Sequence, residues 1–302
     1  MRFRFRRALT RRAVCAALLA GLAPLCAHAQ GPAINRLVSV GGDVTEILYD
    51  LGLDKQVAGV DTTSLYPPSA LKEKPNVGYM RALSAEGVLS LEPSLVLVNE
   101  GAGPPDALKQ IKQANVPLVM VPDVQSPEGV VAKINAIGKI TGKEEEARKL
   151  ADGVSQRFAT LAADRTRIGK PVRVLFVMSL QNGRAMAAGH KTAADNVIKL
   201  AGGINAVGEM EGYKPLTDEA VIAAAPDVVL MMSRGDHAAQ QDVFALPAFS
   251  GTPAAAHKAL VVMDGLYLLG FGPRTPDAAR ELMTRLYPAL SPAPLPQPAA
   301  KP

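Results

Sequence analysis

Apolar and polar positions along this chain follow two periods that take turns. Short runs rich in β-branched residues occur at Arg36–Val40, Gln56–Val60, Leu95–Val98 and Pro117–Val121. Between them lie segments whose apolar residues recur at helical spacing, Asp43–Leu51, Ser84–Leu91 and Asp106–Ala114. A buried strand followed by an amphipathic helix, repeated, predicts parallel sheets with helical crossovers. The rhythm stops at Ser126. From there to about Arg167 the pattern is helical throughout, with the solvated charge run Lys143–Lys149 and a break suggested by Gly138 and Gly142. After Pro171 the alternation resumes, with strands expected at Val172–Met178, Val228–Met232 and Leu260–Met263 and helices at Ala193–Leu200 and Asp218–Ala225. The expected architecture is an α/β chain of two lobes with parallel sheets and flanking helices, residues 34–125 and 170–288. A single long linker helix over 126–168 would join them.

An internal echo favours related lobes. Leu83–Leu97 aligns without gaps with Leu216–Leu230. Each copy opens on a Ser or Thr able to cap a helix, carries a glutamate two residues later (Glu86, Glu219), stops at a proline and continues as an apolar strand.

The two ends read differently from the middle. Residues 1–29 carry six arginines, then an apolar run from Ala13 to Leu25, then the small-x-small ending Ala27-His28-Ala29. That is the pattern of a cleaved secretory signal peptide, too short and wrongly flanked to span a bilayer. Arg11-Arg12 matches a twin-arginine signal only in part. Cys26 follows Leu25, bulkier than the small residue that lipoprotein processing favours, so soluble export is expected. Residues 289–302, mostly Pro and Ala, read as a disordered tail.

Removing the leader changes the electrostatic picture. The whole chain has a formal charge of +5 and a pI near 9.2, but without the six leader arginines the balance falls to −1. A nucleic-acid partner is therefore not indicated. Both cysteines, Cys15 and Cys26, leave with the leader, so the mature chain would have neither disulfide nor thiol chemistry.

Enzyme signatures are missing: there is no G-x-S-x-G, H-E-x-x-H or C-x-x-C, and His190, His237 and His257 lack metal-ligand spacing. The turn Ser39–Glu46 joins a strand to a helix. Asp43 with Glu46 would form a capping-box-like pair, and Gly41-Gly42 would serve equally a plain tight turn or the approach of a ligand to backbone amides there. In Gly78-Tyr79-Met80-Arg81, an extended backbone would put Tyr79 and Arg81 on one side and send Met80 into packing. Arg81 would then favour the anionic form of Tyr79, a hard oxygen donor suited to ferric iron.

At these residues the sequence resembles the haem-binding periplasmic proteins of bacterial haem ABC importers, within the helical-backbone class (class III) of substrate-binding proteins. The stretches that carry the resemblance are Leu37–Ile47, Tyr66-Pro67, Val77–Gly87, Ala187–Gly189 with Thr192–Asp195, and Leu269–Pro276. They span nearly the whole mature chain. The Gly-Tyr-Met-Arg and Gly-Phe-Gly-Pro-Arg-Thr-Pro stretches are the most specific to the haem branch; the Gly-Gly and Glu-containing stretches resemble the wider class, which also takes siderophores and cobalamin.

The resemblance implies a non-enzymatic periplasmic carrier that delivers haem to an inner-membrane permease and its ATPase, downstream of an outer-membrane haem receptor system. Tyr79 would be the axial iron ligand, Arg81 its hydrogen-bond partner, and Arg274 the grip on a propionate. Tyr66 is a rival ligand, and Glu86 and Glu219 would project one per lobe to the permease. Some relatives add a histidine in the second lobe for a second stacked haem. Here the corresponding Ser179-Leu180-Gln181 has none, which implies one haem. The alternatives are the same carrier for a ferric siderophore or cobalamin, and a periplasmic enzyme or chelatase on a similar scaffold.

Overall fold

Strand and helix alternate through the first half as the pattern predicts in the computed structural model, which describes residues 34–181, 184–233, 243–290 and 295. The first lobe runs β1 (Leu37–Val40), α1 (Gly42–Asp50), β2 (Val57–Val60), α2 (Pro68–Glu73), β3 (Gly78–Tyr79), β4 (Ala82–Leu83), α3 (Ala85–Leu89), β5 (Leu95–Asn99), α4 (Pro105–Gln113), β6 (Leu118–Val121) and α5 (Pro127–Thr141). Its main sheet has the order β2-β1-β5-β6 and is parallel throughout. Strand residues alternate between faces. Leu37, Leu95 and Leu97 pack with Val44, Ile47 and Leu48 of α1 and Ile134 of α5. Val38, Val40, Val96 and Val98 pack with Val88 of α3 and Ile111 of α4. Burial on both faces is why these strands read as continuous apolar runs.

The stretch expected to be one linker helix is two. Gly142 takes a left-handed conformation (φ 68°) that ends α5, and α6 (Glu144–Arg165) starts two residues later. α5 completes the first lobe, with Val130, Ile134 and Ile137 in its core. The linker is α6 alone, 22 residues and about 33 Å long.

The second lobe runs β7 (Arg173–Gln181), β8 (Arg184–Ala188), α7 (Ala193–Leu200), β9 (Ile204–Asn205), β10 (Tyr213–Pro215), α8 (Asp218–Ala224), β11 (Val228–Ser233), α9 (Pro247–Ser250), α10 (Pro253–Ala256), β12 (Leu260–Asp264), α11 (Gly265–Leu269) and α12 (Thr275–Leu286). Its sheet has the order β10-β8-β7-β11-β12, with β9 also on β7. This sheet is mixed, not parallel as expected: β7, β11 and β12 are parallel, while β8 and β10 run antiparallel at one edge. Only two residues separate β7 from β8, and so short a connection can return the chain only antiparallel.

The lobes share a core. One face of each sheet joins a continuous apolar cluster through Val154, Phe158 and Leu161 of α6 and Leu282 and Leu286 of α12. Ion pairs fix the same junction. The Lys133 ammonium, fully buried, bonds Asp43 of α1, Asp123 after β6 (2.6 Å) and the Phe271 carbonyl of the second lobe (3.4 Å). Asn99 of β5 donates to both oxygens of Asp43, at 3.0 and 3.2 Å. From α6, Arg157 pairs with Asp277 and donates to the Pro273 carbonyl at 3.0 Å. The segment Phe271–Asp277 is thus held from two sides, by Lys133 of α5 and Arg157 of α6.

Burial works against the charge on Lys133, and Asp43 and Asp123 more than reverse it, so its pKa lies above the ordinary lysine value. Removing one member of such a cluster strands the others in a dry site. Lys133→Met should therefore lower the unfolding free energy by about 3–5 kcal/mol in urea denaturation at neutral pH. A raised lysine pKa contributes stability that is complete below the unfolded value and is lost as pH rises through the folded one. The gap between wild type and variant should accordingly narrow above about pH 10.4.

Candidate functional site

Parallel α/β sheets place loops at the carboxyl ends of their strands, where ligands are usually met. In the first lobe three such loops converge. The turn after β1 does not behave as expected. Gly41 is the cap position of α1, no side chain caps it, and Asp43 and Glu46 point away to cations instead of closing a capping box. The amides of Gly41 and Gly42 are taken by Asp61 (2.9 Å) and Thr63 (2.9 Å) of the loop after β2. A Cβ on Gly42 would stand 2.3 Å from the Thr63 carbonyl oxygen. The glycines therefore admit the neighbouring loop, not a ligand. Asp61 in turn accepts from the Thr63 amide and hydroxyl and the Ser64 hydroxyl, which sets the course of the chain towards Tyr66.

Tyr79 and Arg81 do meet, by a tighter route than an extended strand. β3 and β4 form a hairpin with Tyr79 opposite Ala82, so Met80 and Arg81 are the two turn residues. Arg81 donates to the Tyr79 hydroxyl at 3.1 Å. Met80 packs into the first-lobe core, as its position predicts. The hairpin is anchored on both sides: the Gly103 amide donates to the Met80 carbonyl (2.8 Å), and the Thr62 amide donates to the Gly78 carbonyl (2.9 Å). Held in this way, the phenol stays 43 % exposed, an unusual state for a large aromatic.

Tyr66 and Arg274 form a second group. The Arg274 guanidinium lies 3.5 Å over the centre of the Tyr66 ring and 5.2 Å over that of Tyr267 in α11. Its Nη2 pairs with Glu46 at 2.9 Å, and its backbone amide donates to the same carboxylate at 3.2 Å. Burial lifts the Glu46 carboxyl above its ordinary range against the pull of Arg274. Burial also pushes the Tyr267 phenol up to about 12, helped by Asp277 and Glu281. Tyr66, Tyr267 and Arg274 line a cavity of about 280 Å³ with Leu65, Leu266 and Asp264, drawn from both lobes. That is smaller than a typical site for a drug-sized ligand.

Sequence reasoning missed Tyr213. It stands at the start of the edge strand β10 and is 39 % exposed. Burial raises its pKa; Arg81 of the opposite lobe, the Ala194 amide and the Thr192 hydroxyl oppose that rise. No motif announces it, because a single tyrosine on a three-residue edge strand carries no local pattern. Among the described residues no cluster of His, Cys, Asp or Glu could hold a metal ion. His190 bonds the Gly208 carbonyl (3.0 Å), and His237 lies outside the described residues.

The sequence pattern of the periplasmic binding protein family matches residues 37–266. The chain belongs to that family. The periplasmic haem-binding protein BhuT, solved with two haems, is 41 % identical, with a TM-score of 0.79 over 85 % of this chain and 99 % of its own. RhuT from Roseiflexus sp. RS-1, a periplasmic haem-binding protein solved in its apo form, is 40 % identical with a TM-score of 0.80 and the same coverage. A vitamin B12-binding protein of Vibrio cholerae is 26 % identical over 65 % of this chain and 69 % of its own.

In this periplasmic binding protein the two echo segments match in three dimensions. Ser84 caps α3 through the Gly87 amide, and Thr217 caps α8 through the Ala220 amide. Glu92 and Ala225, each just before the proline, both take positive φ (46° and 41°). Glu86 and Glu219 are correspondingly exposed in the first turns. Among the described residues no helix is long and apolar enough to cross a membrane.

Arg274 ties this scaffold together through a flat face and a fork, which a lysine has not. Arg274→Lys, although it keeps the charge, should cost about 1–2 kcal/mol of stability in urea denaturation.

Proposed function

We propose that this protein captures haem in the periplasm between its two lobes and delivers it to an inner-membrane ABC permease driven by a partner ATPase. The observation that carries this reading is the exposed Tyr79 phenol with the Arg81 guanidinium on its oxygen. A phenolate is a hard anionic donor for ferric iron, and tyrosine serves as an axial haem ligand. A guanidinium bonded to that oxygen stabilises the charge such ligation needs. The likeness to BhuT and RhuT, both haem-binding, supports the same assignment.

Arg274 would meet a propionate with the edge of its guanidinium not spent on Glu46, or exchange Glu46 for it. Tyr66, stacked on Arg274, is the rival ligand and otherwise a wall. One haem is proposed, because Ser179-Leu180-Gln181 supplies no second nitrogen donor, although BhuT holds two. Export would follow cleavage of the arginine-rich leader after Ala29. The vitamin B12-binding relatives favour a corrin as the second reading.

Titration of the purified protein with ferric haemin should give a one-to-one complex with a tyrosinate-type absorption spectrum that Tyr79→Ala abolishes. Binding that survives this change would move the iron to Tyr66. Failure of the folded wild type to saturate would overturn the haem assignment, and saturation with cyanocobalamin would replace it.

Glu86 and Glu219 would act at the other end of the cycle, one acidic knob per lobe on a two-fold permease. Glu86→Lys with Glu219→Lys should leave haemin affinity within about twofold, since both residues are exposed. Uptake into vesicles that hold the permease and ATPase should fall to background. Normal uptake by the double variant would remove the docking role.

A further inference from the structure

We propose that Glu46 sets the strength with which Arg274 takes an acidic ligand group, holding the guanidinium in place and opposing the carboxylate that joins it. This deepens the haem reading and rests on it. Arg274 is the residue that meets the ligand; Glu46 acts through Arg274 and is a positioning residue.

Glu46 leaves Arg274 little freedom. Its two oxygens are divided between the Arg274 amide (3.2 Å) and Nη2 (2.9 Å), so one carboxylate fixes both ends of the residue. The Thr275 amide and hydroxyl both donate to the Gly272 carbonyl, at 3.1 and 2.8 Å, closing a turn around the same backbone. The guanidinium face lies 3.5 Å over the centre of the Tyr66 ring. With main chain, edge and face all engaged, the direction of the guanidinium is set before any ligand arrives.

Donors remain unused. Nε is buried without a partner, and Nη1 makes none of the described hydrogen bonds. The Arg274 side chain borders the cavity and is 24 % exposed, whereas that of Glu46 is 4 % exposed and does not border it. A ligand carboxylate can therefore reach the free N–H edge but not the place of Glu46. Exchanging one for the other would leave Glu46 buried as a bare anion, the more costly state.

The two carboxylates would then share one cation. Glu46, buried and fixed, can neither turn away nor be screened by solvent, so it repels the second carboxylate across the guanidinium. At the separation one guanidinium allows, and at the effective dielectric of a protein site, this repulsion lowers carboxylate affinity by about tenfold. It acts only on a charged partner. An ester in the same place escapes it.

The test is a titration of wild type and Glu46→Gln with haemin and with its dimethyl ester, each protein checked for folding by circular dichroism. Wild type should prefer haemin to the ester by about threefold or more. Glu46→Gln, which keeps a hydrogen-bond acceptor and removes the charge, should bind haemin about tenfold more tightly and the ester within about twofold of wild type. A purely structural role would move both ligands together. Unchanged or weaker haemin binding by the folded variant, an equal shift for the ester, or equal affinity of wild type for both ligands would each overturn the inference. Should Glu46→Gln not fold, a crystal structure of wild type with haemin decides: a propionate on Arg274 with the Glu46 pair intact supports the inference, and a propionate in place of Glu46 or away from Arg274 overturns it. If wild type fails to bind haemin, the haem reading falls and this inference falls with it; every other outcome leaves that reading standing.

Discussion

Lys133 holds the architecture together at one atom. Its ammonium sits where α1, the end of β6 and the Phe271 carbonyl meet, so a single buried cation joins the first lobe to the second. A charge there is tolerable only because two carboxylates and a carbonyl replace its water. The constraint spreads outward. Asp43 is committed to Lys133 and does not cap α1, and beside it the amides of Gly41 and Gly42 are held by Asp61 and Thr63. Those contacts fix the loop that carries Tyr66, whose ring lies under Arg274. Arg274 closes the circuit on Glu46, one turn of α1 beyond Asp43.

This circuit decides what the cleft can do. Phe271–Asp277 is gripped by Lys133, Glu46 and Arg157, which belong to three different helices. The lobes also share one apolar core through α6 and α12. Wide separation of the lobes would have to break buried ion pairs and open that core together. Small adjustments around α6 are the motion such a junction permits. A cleft of nearly constant width suits a flat, rigid ligand better than one that must be enclosed.

The alternation of strands and helices was legible because both faces of the first sheet are buried, which leaves strands as apolar runs and helices as amphipathic ones. The duplicated caps were legible for the same local reason: Ser84 and Thr217 act within three residues of themselves. What could not be read was whatever depends on distance. β8 escaped notice because Arg184–Ala188 has no β-branched residue, and β10 because it is three exposed residues at an edge. The capping box at Asp43 and Glu46 was a sound local inference that two cations, 90 and 228 positions away, outcompeted. The linker was misdrawn because helical period alone does not say where a left-handed glycine ends one helix. Of the site, the Tyr79–Arg81 pair was legible because the two residues stand two positions apart, whereas the stacking of Tyr66 on Arg274 depends on residues 208 positions apart.

The two arginines of the cleft illustrate how context divides labour between identical side chains. Arg274 serves the scaffold: its Nη2 pairs with Glu46, and its face lies over Tyr66 and Tyr267. Arg81 sits on a two-residue turn with a phenol oxygen as its hydrogen-bonded partner and a second phenol within its field. A guanidinium that already serves a carboxylate offers a further anion only its remaining N–H edge. One bound to a neutral phenol gains most when that phenol loses its proton. Among the described ion pairs Arg274 has a carboxylate and Arg81 has none, so the guanidinium charge still unanswered in this protein lies at Arg81.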